Sequence, residues 1–596
     1  MLEKYFIVFI VNYILLVITK LIFSFYLGFN DIYAVFWGYK FDFAVSGFVA
    51  LVVMLFSFSK LLSKSLFVGL TTLFFFIQIA DILYYSEAQR HIGYEIADFF
   101  VDLIPLMQTA LHQFFTLTLF GFAMGIGLVY LLSKIEVYEK FTKVTPFKIV
   151  VLIAFSIFFI RGEFQHIPLQ PYQANEIGDV RKAQVALNGV YNATYALSRA
   201  SKEPKMLAIV KPTQSEIKKS FISLYGDKHT PYVSNFQGKQ PNVVLFFSES
   251  WSAKWLKPYG FKKETTPNFD ALYEKGLKPK YMIANGHRTT EGMFATLASY
   301  PNPLGKSIAK TQLQSYHYDS LIFLFNKMGY SSMFFQGTSK DTSGTGSLAQ
   351  SLGFSKSFGK RDVMERKYPE NYWGVQDYDL YNFILTKLPK NKPFVIGING
   401  ATTHDNVVPK EFPLEHYVND EALNKDLNAL HFADYSLGIF LKKMQKRYPN
   451  TIFVFFADHC GGRIQGSLEN YQIPFVIYTK GIKAKLVNTV MSQMDIAPTV
   501  VDMVFGDYKQ YLPNATGKSL LSDTKFFAPY FHNGILGWIE DNKHIEYNLQ
   551  NHKLRCKESK DECKKLKSHL LDYTYVTQKL LFSGKTQLFY KYKNLP

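Results

Sequence analysis

Three short polar motifs contain the side chains best suited to bind a metal ion. Each motif directly follows a compact apolar run, and the motifs are Ser248-Glu249-Ser250, Gly400-Ala401-Thr402-Thr403-His404-Asp405 and Ala457-Asp458-His459. Carboxylate oxygens together with imidazole nitrogens suit Mn²⁺, Mg²⁺ or Zn²⁺. A single Asp or His of this kind is usually a loop residue whose hydrogen bonds are made by neighbouring groups. Three such motifs after three apolar runs favour a metal site instead.

A fourth motif offers a hydroxyl nucleophile. Residues 285–292 read Asn-Gly-His-Arg-Thr-Thr-Glu-Gly, a small polar turn ahead of a predicted helix over Met293–Ala298. A hydroxyl at a helix N-terminus beside Arg288 is well placed to attack a phosphate ester, because the helix end and the cation both stabilise oxyanions. A bound metal would also lower the pKa of that hydroxyl. The second interpretation is that Thr289 or Thr290 only caps the helix.

The apolar runs alternate with helical segments through the second half of the chain. The runs are Asn242–Phe247, Ser331–Phe335, Pro393–Ile398, Thr451–Phe456 and Ile473–Tyr478, and the helical segments include Ser320–Met328, Asp377–Leu388 and Leu423–Tyr448. Buried strands that alternate with helices predict an α/β domain with a mostly parallel central sheet flanked by helices. Ligands bind such sheets at the carboxyl ends of the strands. The three metal-binding motifs are therefore expected at one edge of this sheet.

The first 161 residues differ from the rest in holding nearly all the long apolar runs. Five segments approach the roughly 20 apolar residues that a transmembrane helix needs. They are Tyr5–Leu27, Phe36–Phe58, Leu66–Leu83, Phe115–Leu132 and a shorter one around Ile149–Ile160. The first segment is too long for the core of a signal peptide, and further spans follow it. We predict an N-terminal five-helix transmembrane bundle.

Lysines in the connecting loops predict the orientation of this bundle. The loop between spans two and three carries Lys60 and Lys64, and the loop between spans four and five carries Lys134, Lys140, Lys143 and Lys148. The alternate loops, residues 28–34 and 81–112, contain few cations. By the positive-inside rule the lysine-bearing loops are cytoplasmic. The N-terminus is then cytoplasmic, and everything after residue 161 lies on the extracytoplasmic or periplasmic side of the cell (inner) membrane. Lys40 and Asp42, at a predicted span, are candidates for contact with lipid headgroups.

Charge and cysteine content restrict the partners. The formal net charge is +18, yet the lysines are scattered rather than gathered on one stripe, so no nucleic-acid partner is expected. Scattered lysines usually form a solvated surface. The more specific alternative is that they attract the protein to an anionic membrane surface. Cys556 and Cys563 are close enough to pair outside the cytoplasm, with two free thiols as the alternative. Cys460, next to His459, is expected to be inert.

Five motifs in a fixed order resemble a known family. Asn242–Ser250 followed by Thr266-Pro267-Asn268-Phe269-Asp270 resembles the start of a sulfatase-type domain of the alkaline phosphatase superfamily. The turn Arg288-Thr289-Thr290-Glu291, continuing to Ser299-Tyr300-Pro301, is similar to lipoteichoic acid synthases and periplasmic glucan phosphoglycerol transferases. Further similar motifs are Trp373-Gly374-Val375-Gln376-Asp377, Ala457-Asp458-His459 and Asp495-Ile496-Ala497-Pro498-Thr499. The Cys-x-Pro-x-Arg sequence of true sulfatases is absent from the chain, which disfavours sulfate-ester hydrolysis.

The resemblance implies a nucleophile and a metal site. Thr289 is the implied nucleophile, and Thr290 is the rival. Glu249, Asp458 and His459 would bind one divalent metal, which is typically manganese in this family, and Thr289 would complete the ligand set. Mg²⁺ and Zn²⁺ are the alternative metals.

The resemblance also implies substrate contacts and an activity. His404 corresponds to a substrate-contacting histidine, and weaker candidates for the pocket are Arg288, Trp373 and Asp377. The implied enzyme is a membrane-bound transferase that moves a phosphoglycerol group from phosphatidylglycerol, an anionic phospholipid, to a glycan or polyol-phosphate hydroxyl through a phospho-threonine. The alternatives are a phosphoethanolamine transferase, a phosphodiesterase or sulfatase-like hydrolase, and an inactive membrane scaffold or transporter.

The predicted domain organisation has four parts. Residues 1–161 form the five-span transmembrane domain, and residues 162–240 form linker helices. Residues 241–520 form the sulfatase-like catalytic domain, and residues 521–596 form a C-terminal subdomain.

Overall fold

The computed structural model describes most of the chain as two compact units. It describes residues 1–595 except 89–90, 93–107, 109–110, 113–114, 139–144, 163–168, 170, 172–173, 175–176, 178–179, 201–205, 227–228, 235, 237–238, 310, 341 and 462–467. The units are Met1–Lys202 and Glu203–Pro596. The predicted linker, residues 162–240, is divided between them, and the four-part organisation remains a prediction.

The described residues of the first unit are mainly helical. The helices are α1 Leu2–Tyr26, α2 Ile32–Trp37, α3 Tyr39–Leu55, α4 Lys60–Ala88, α5 Phe115–Lys134, α6 Pro146–Arg161, α7 Val180–Ala186 and α8 Gly189–Ala200. A helix overlaps each of the five predicted spans. Among the described residues, Leu2–Tyr26 and Lys60–Ser86 are long and apolar enough to cross a membrane. The five-helix bundle and its orientation remain predictions, and Lys140 and Lys143 lie outside the described residues.

A buried ion pair lies inside the first unit. Lys20 Nζ lies 2.8 Å from Asp42 Oδ2, and Asn188 donates to Asp42 Oδ1 at 2.9 Å. Lys20 is 1 % exposed and Asp42 is 0 % exposed. A buried charge is tolerated only when it is paired and hydrogen-bonded, so the two side chains depend on each other. The predicted headgroup contact of Asp42 is therefore wrong, and Lys40 is buried as well, with Nζ 5.1 Å from the centre of the Trp37 ring.

An eight-stranded sheet forms the centre of the second unit. Its strands are β1 Asn242–Ser248, β2 Leu277–Ile283, β3 Ser331–Gln336, β4 Lys356–Phe358, β5 Phe394–Asn399, β6 Thr451–Ala457, β7 Phe475–Tyr478 and β8 Lys485–Ser492. The order is β4-β3-β5-β1-β6-β7-β2-β8, and only β7 runs antiparallel to its neighbours among these strands. Strands β1 and β6 are rich in Val and Phe and buried almost throughout, as strands covered on both faces are. The predicted α/β domain with a mostly parallel sheet is confirmed.

Helices and a smaller sheet complete the second unit. The helices are α9 Gln214–Tyr225, α10 Pro267–Lys275, α11 Thr289–Ala298, α12 Leu321–Lys327, α13 Thr345–Ser351, α14 Asp377–Lys387, α15 Glu421–Arg447, α16 Ile496–Phe505, α17 Tyr508–Tyr511, α18 Lys560–Phe582 and α19 Phe589–Lys593. The smaller, antiparallel sheet contains β9 Phe527–His532, β10 Ile535–Glu540, β11 Lys543–Asn548 and β12 Leu554–Cys556. Helix α18 packs against β10 and β11. A disulfide between Cys556 and Cys563 joins β12 to α18.

The register of the central strands decides where the polar motifs meet. Strand β1 pairs in parallel with both β5 and β6. Phe247 lies opposite Asn399 in β5, and Ser248 lies opposite Ala457 in β6. The three strands therefore end level with one another. The residues that follow each strand emerge side by side at the carboxyl edge of the sheet, where parallel sheets bind ligands.

Candidate functional site

Glu249, Asp458 and His459 form a compact group at this edge of the sheet. Each offers one possible ligand atom, and these atoms lie within 4.8 Å of one another. His459 Nε2 lies 3.5 Å from Glu249 Oε1 and 3.6 Å from Asp458 Oδ2. Glu249 is only 3 % exposed, and Asp458 is fully buried. Two buried carboxylates that face one imidazole fit a divalent cation, because this donor set matches the preferences of Mn²⁺, Mg²⁺ and Zn²⁺.

Burial and proximity shift the pKa values of all three groups. Burial, followed by the charge of Glu249, raises the pKa of Asp458 to about 8. Burial also opposes ionisation of Glu249, but the charges of His404 and His459 outweigh it and hold the pKa of Glu249 below its usual range. Burial disfavours the charged form of His459, yet Asp458 and Glu249 raise its pKa to about 9. The charges of Glu249 and His459 therefore each shift the pKa values of the other two groups.

Helix α11 presents Thr289 to this group. The N-cap residue of the helix is Arg288, whose carbonyl oxygen accepts hydrogen bonds from the amides of Glu291 and Gly292 at 3.0 Å. Thr289 is therefore the first helical residue, and its Oγ1 donates to Glu249 Oε2 at 3.2 Å. Thr290 is 1 % exposed, whereas Thr289 is partly exposed. The interpretation of either threonine as the N-cap residue is wrong, and Thr289 is the hydroxyl beside the ligand group.

Close packing holds α11 against the end of β6. A Cβ atom at Gly292 would lie 2.2 Å from the carbonyl oxygen of Asp458 and 2.9 Å from Nε2 of Gln493. Any larger side chain would push the helix away from the strand. Gly292 thus sets the distance between the helix that carries Thr289 and the strand end that carries Asp458.

Asn399 connects two of the candidate ligands and was not predicted from the sequence. Its Nδ2 donates to Phe247 O at 2.9 Å and lies 3.4 Å from Glu249 Oε2 and 3.3 Å from Asp458 Oδ2. The amide therefore fixes both carboxylates in place. The available sequence signal was a polar residue at the last position of an apolar strand, directly before the Gly400 motif.

Gln493 is a second positioning residue that was not predicted from the sequence. Its Nε2 donates to the carbonyl oxygens of Ala457 and Asp458 at 3.0 and 2.7 Å. Its Oε1 accepts a hydrogen bond from the Asn285 amide at 2.8 Å. Gln493 therefore links the end of β6 to the turn before α11. No periodic pattern around Gln493 indicates this role.

His404 and Trp373 lie together beside the candidate ligands. Their rings stack with centres 4.2 Å apart and planes 21° apart, and both side chains are partly exposed. Thr403, which directly precedes His404, donates a hydrogen bond from Oγ1 to the backbone oxygen of Glu249 at 2.5 Å. These contacts give the histidine a fixed ring plane near the carboxylates. Two of the predicted substrate contacts, which are far apart in sequence, are thus neighbours in the fold.

Asp377 holds the turn that carries His404. It is 4 % exposed, and its Oδ1 accepts hydrogen bonds from the amides of Ala401 and Thr402 at 2.8 and 3.1 Å. Burial raises the pKa of Asp377. The side chain is therefore engaged with protein backbone, and its contribution to a substrate pocket would pass through the turn.

The Cys460 thiol contacts backbone carbonyl oxygens. Its Sγ lies 3.1 Å from the carbonyl oxygen of Gln472, and burial raises the pKa of its thiol. The group of possible metal ligands among the described residues does not include Cys460. This placement agrees with an inert thiol.

The chain is similar to several known proteins. Residues 241–506 match the protein family described as Sulfatase. The chain is 22 % identical over 394 residues to lipoteichoic acid synthase 1 of Bacillus subtilis (strain 168), which covers 61 % of each protein. It is 22 % identical over 379 residues to lipoteichoic acid synthase 2 of the same organism, covering 58 % of this chain and 57 % of that protein. The chain thus spans less than two thirds of the length of either relative.

A solved structure shares the fold of the second unit. It belongs to a protein in the alkaline phosphatase superfamily from Vibrio parahaemolyticus, with 19 % sequence identity and a TM-score of 0.52. The match covers 63 % of this chain and 97 % of that one. The chain therefore shares the fold of that protein, an α/β domain with a mostly parallel central sheet.

Proposed function

Since residues 241–506 form a sulfatase-family domain, we propose that this chain is a membrane-bound, metal-dependent transferase. It moves a phosphoglycerol group from phosphatidylglycerol to a hydroxyl of a glycan or a polyol-phosphate polymer. The observation that carries the proposal is the Thr289 hydroxyl at the start of a helix, 3.2 Å from Glu249 in the candidate metal group. The domain type supports an enzyme that acts on phosphate or sulfate esters. The names of the two Bacillus relatives favour transfer over hydrolysis.

In the first half-reaction Thr289 Oγ1 attacks the phosphorus of the donor lipid. The bond between phosphorus and the diacylglycerol oxygen breaks. The Thr289 hydroxyl loses its proton to solvent, and the departing diacylglycerol oxygen gains one from solvent, so the step is balanced. Glu249 accepts the hydrogen bond of the Thr289 hydroxyl and so orients it for attack. A divalent cation held by Glu249, Asp458 and His459 would lower the hydroxyl pKa and neutralise charge on the phosphate. The product is a glycerophosphate ester of Thr289.

In the second half-reaction the acceptor hydroxyl attacks the same phosphorus. The bond between phosphorus and Thr289 Oγ1 breaks, and the acceptor carries the glycerophosphate. The acceptor hydroxyl loses one proton and Thr289 Oγ1 regains one, both by exchange with solvent. The partly exposed His404, fixed by stacking on Trp373, is suited to donate a hydrogen bond to the transferred group. The positive end of α11 favours the anionic phosphate at Thr289.

The predicted location suits this donor. With the N-terminus in the cytoplasm and the second unit outside, a lipid headgroup on the outer face of the cell membrane is available to the enzyme. The Cys556–Cys563 disulfide supports an extracytoplasmic location, because such bonds persist in oxidising compartments.

The test is a search for the covalent intermediate. Full-length protein in detergent is incubated with Mn²⁺ and phosphatidylglycerol, and intact-protein mass spectrometry measures the adduct mass. We expect a glycerophosphate adduct in the wild type and in Thr290→Ser, and none in Thr289→Ala. A phosphoethanolamine adduct with phosphatidylethanolamine alone would favour the alternative transferase. The absence of any adduct with either lipid, while metal is bound, would favour a hydrolase and overturn the proposal.

A further inference from the structure

A groove lies along the start of α4 in the first unit. Its volume is about 720 Å³. The lining residues are Lys60, Leu61, Lys64, Ser65, Val68 and Gly69 of α4 and Ser133 of α5. The α4 residues recur at spacings of four, so they form one face of the helix. The groove is thus a surface shared by two helices of the predicted membrane bundle.

The chemistry of the groove changes along its length. Lys60 and Lys64 occupy the first turns of α4, and Val68 and Gly69 follow at a rise of about 14 Å over the whole stretch. Leu61, beside the lysines, is 79 % exposed. A Cβ atom at Gly69 would meet no heavy atom within 4 Å, so the apolar end is open. Cations at one end and open apolar surface at the other match an amphiphile with an anionic head.

Charge complementarity favours an anion at the lysine end. Lys60 Nζ lies 3.4 Å from Glu136 Oε2, but the two side chains are 65 % and 49 % exposed, and such pairs hold each other weakly. Lys64 also interacts with this carboxylate. Lys134 Nζ lies 4.9 Å from the centre of the Tyr130 ring. Lys60 and Lys64 against one carboxylate leave an excess of positive charge among the described residues at this end of the groove.

We propose that this groove binds one anionic diacyl phospholipid. Its headgroup phosphate contacts Lys60 and Lys64, and one acyl chain lies along Val68 and Gly69. Basic pockets between membrane helices are suited to such headgroups. The site rests on the predicted membrane location of α4, and the positive-inside rule assigns it to the cytoplasmic leaflet. Its lipid is therefore additional to a donor bound by the catalytic unit, and it bridges α4 and α5.

Two kinds of variant separate the headgroup contact from the acyl-chain contact. Lys60→Gln/Lys64→Gln removes the cations, and Lys4→Gln/Lys148→Gln is the control that removes two lysines from the same predicted side. Gly69→Leu fills the open end of the groove. Gly127→Leu is its control, because Gly127 of α5 also has open space at its Cβ position but does not line the groove. Thermal melts in detergent show whether each variant is folded.

Native mass spectrometry of the full-length protein, with phosphatidylglycerol or phosphatidylcholine of matched chains, counts retained lipids. We expect the wild type to retain one more phosphatidylglycerol than Gly69→Leu, and Lys60→Gln/Lys64→Gln to bind that lipid about 30-fold more weakly. Both control variants should retain lipid as the wild type does. Equal retention of phosphatidylcholine, or unchanged retention of phosphatidylglycerol in both groove variants, would overturn the proposal. Since the adduct on Thr289 is measured separately, failure here leaves the proposed transferase unaffected.

Discussion

The side-chain oxygen of Thr289 lies 3.2 Å from Oε2 of Glu249, although the two residues are 40 positions apart in the chain. Glu249 directly follows the central strand β1, whereas Thr289 begins helix α11. The hydroxyl thus contacts one member of the candidate metal group, whose other members are Asp458 and His459. A nucleophile in this position would be oriented and activated by the same residues that hold the cation.

Metal binding should stabilise the wild type and fail to stabilise Glu249→Gln. At a Mn²⁺ concentration about 100 times the dissociation constant, the wild-type free energy of unfolding should rise by about 2.7 kcal/mol relative to the chelated protein. Thermal melts with EDTA and with Mn²⁺ measure this difference.

The exposed Glu274 supplies the matched control for this experiment. Glu274→Gln should respond to Mn²⁺ as the wild type does. An undiminished response in Glu249→Gln would exclude Glu249 as a metal ligand.

Gly292→Ala should lower kcat by about 100-fold with little change in metal content. The added Cβ would lie 2.2 Å from the Asp458 carbonyl oxygen, so α11 must shift and move Thr289. Steady-state kinetics and metal analysis of the purified protein check the two parts of this prediction. Gly438→Ala is the control, since its Cβ would be equally crowded, 2.1 Å from Asn268 Oδ1. If both variants lost the same activity, general destabilisation would explain the loss.

Asp377→Ala should destabilise the fold and raise KM, whereas Asp377→Asn should have small effects. The alanine leaves the buried amides of Ala401 and Thr402 without their acceptor, which costs about 1–3 kcal/mol for each group. The asparagine keeps one acceptor oxygen. Chemical unfolding and substrate titrations measure both consequences. Equal KM values in the alanine variant and the wild type would show that this turn does not position His404 for substrate.

Lys20→Met should destabilise the first unit by about 3–5 kcal/mol, because it leaves the Asp42 carboxylate buried without its cation. The double variant Lys20→Met/Asp42→Leu should recover part of this loss, since it removes the unpaired charge but leaves Asn188 and the Val35 carbonyl without their partners. Thermal melts of the full-length protein in detergent measure the three proteins side by side. If the double variant were as unstable as the single one, the loss of stability in Lys20→Met would not come from leaving the Asp42 charge unpaired.

The sequence alone determined the position of the candidate metal group in the fold. Apolar runs of strand length, each followed by a carboxylate or histidine, predicted where the strands end. Parallel strands end at one edge, so the motifs that contain Glu249, His404 and Asp458 were expected together without knowledge of any contact. The family resemblance implied that Glu249, Asp458 and His459 bind the metal. The helix after residue 288 followed from local pattern as well. These features depend on chemistry within a few residues of one another, which a sequence displays.

Only the tertiary structure decided which side chains meet across long sequence separations. It selected Thr289 over Thr290 for the contact with Glu249, because the direction of a side chain at a helix end depends on what the helix packs against. It placed Asn399 between two carboxylates and paired Asp42 with Lys20. Such contacts arise from the register of paired strands and the packing of helices. No local period or composition encodes them, since each partner lies in a different element.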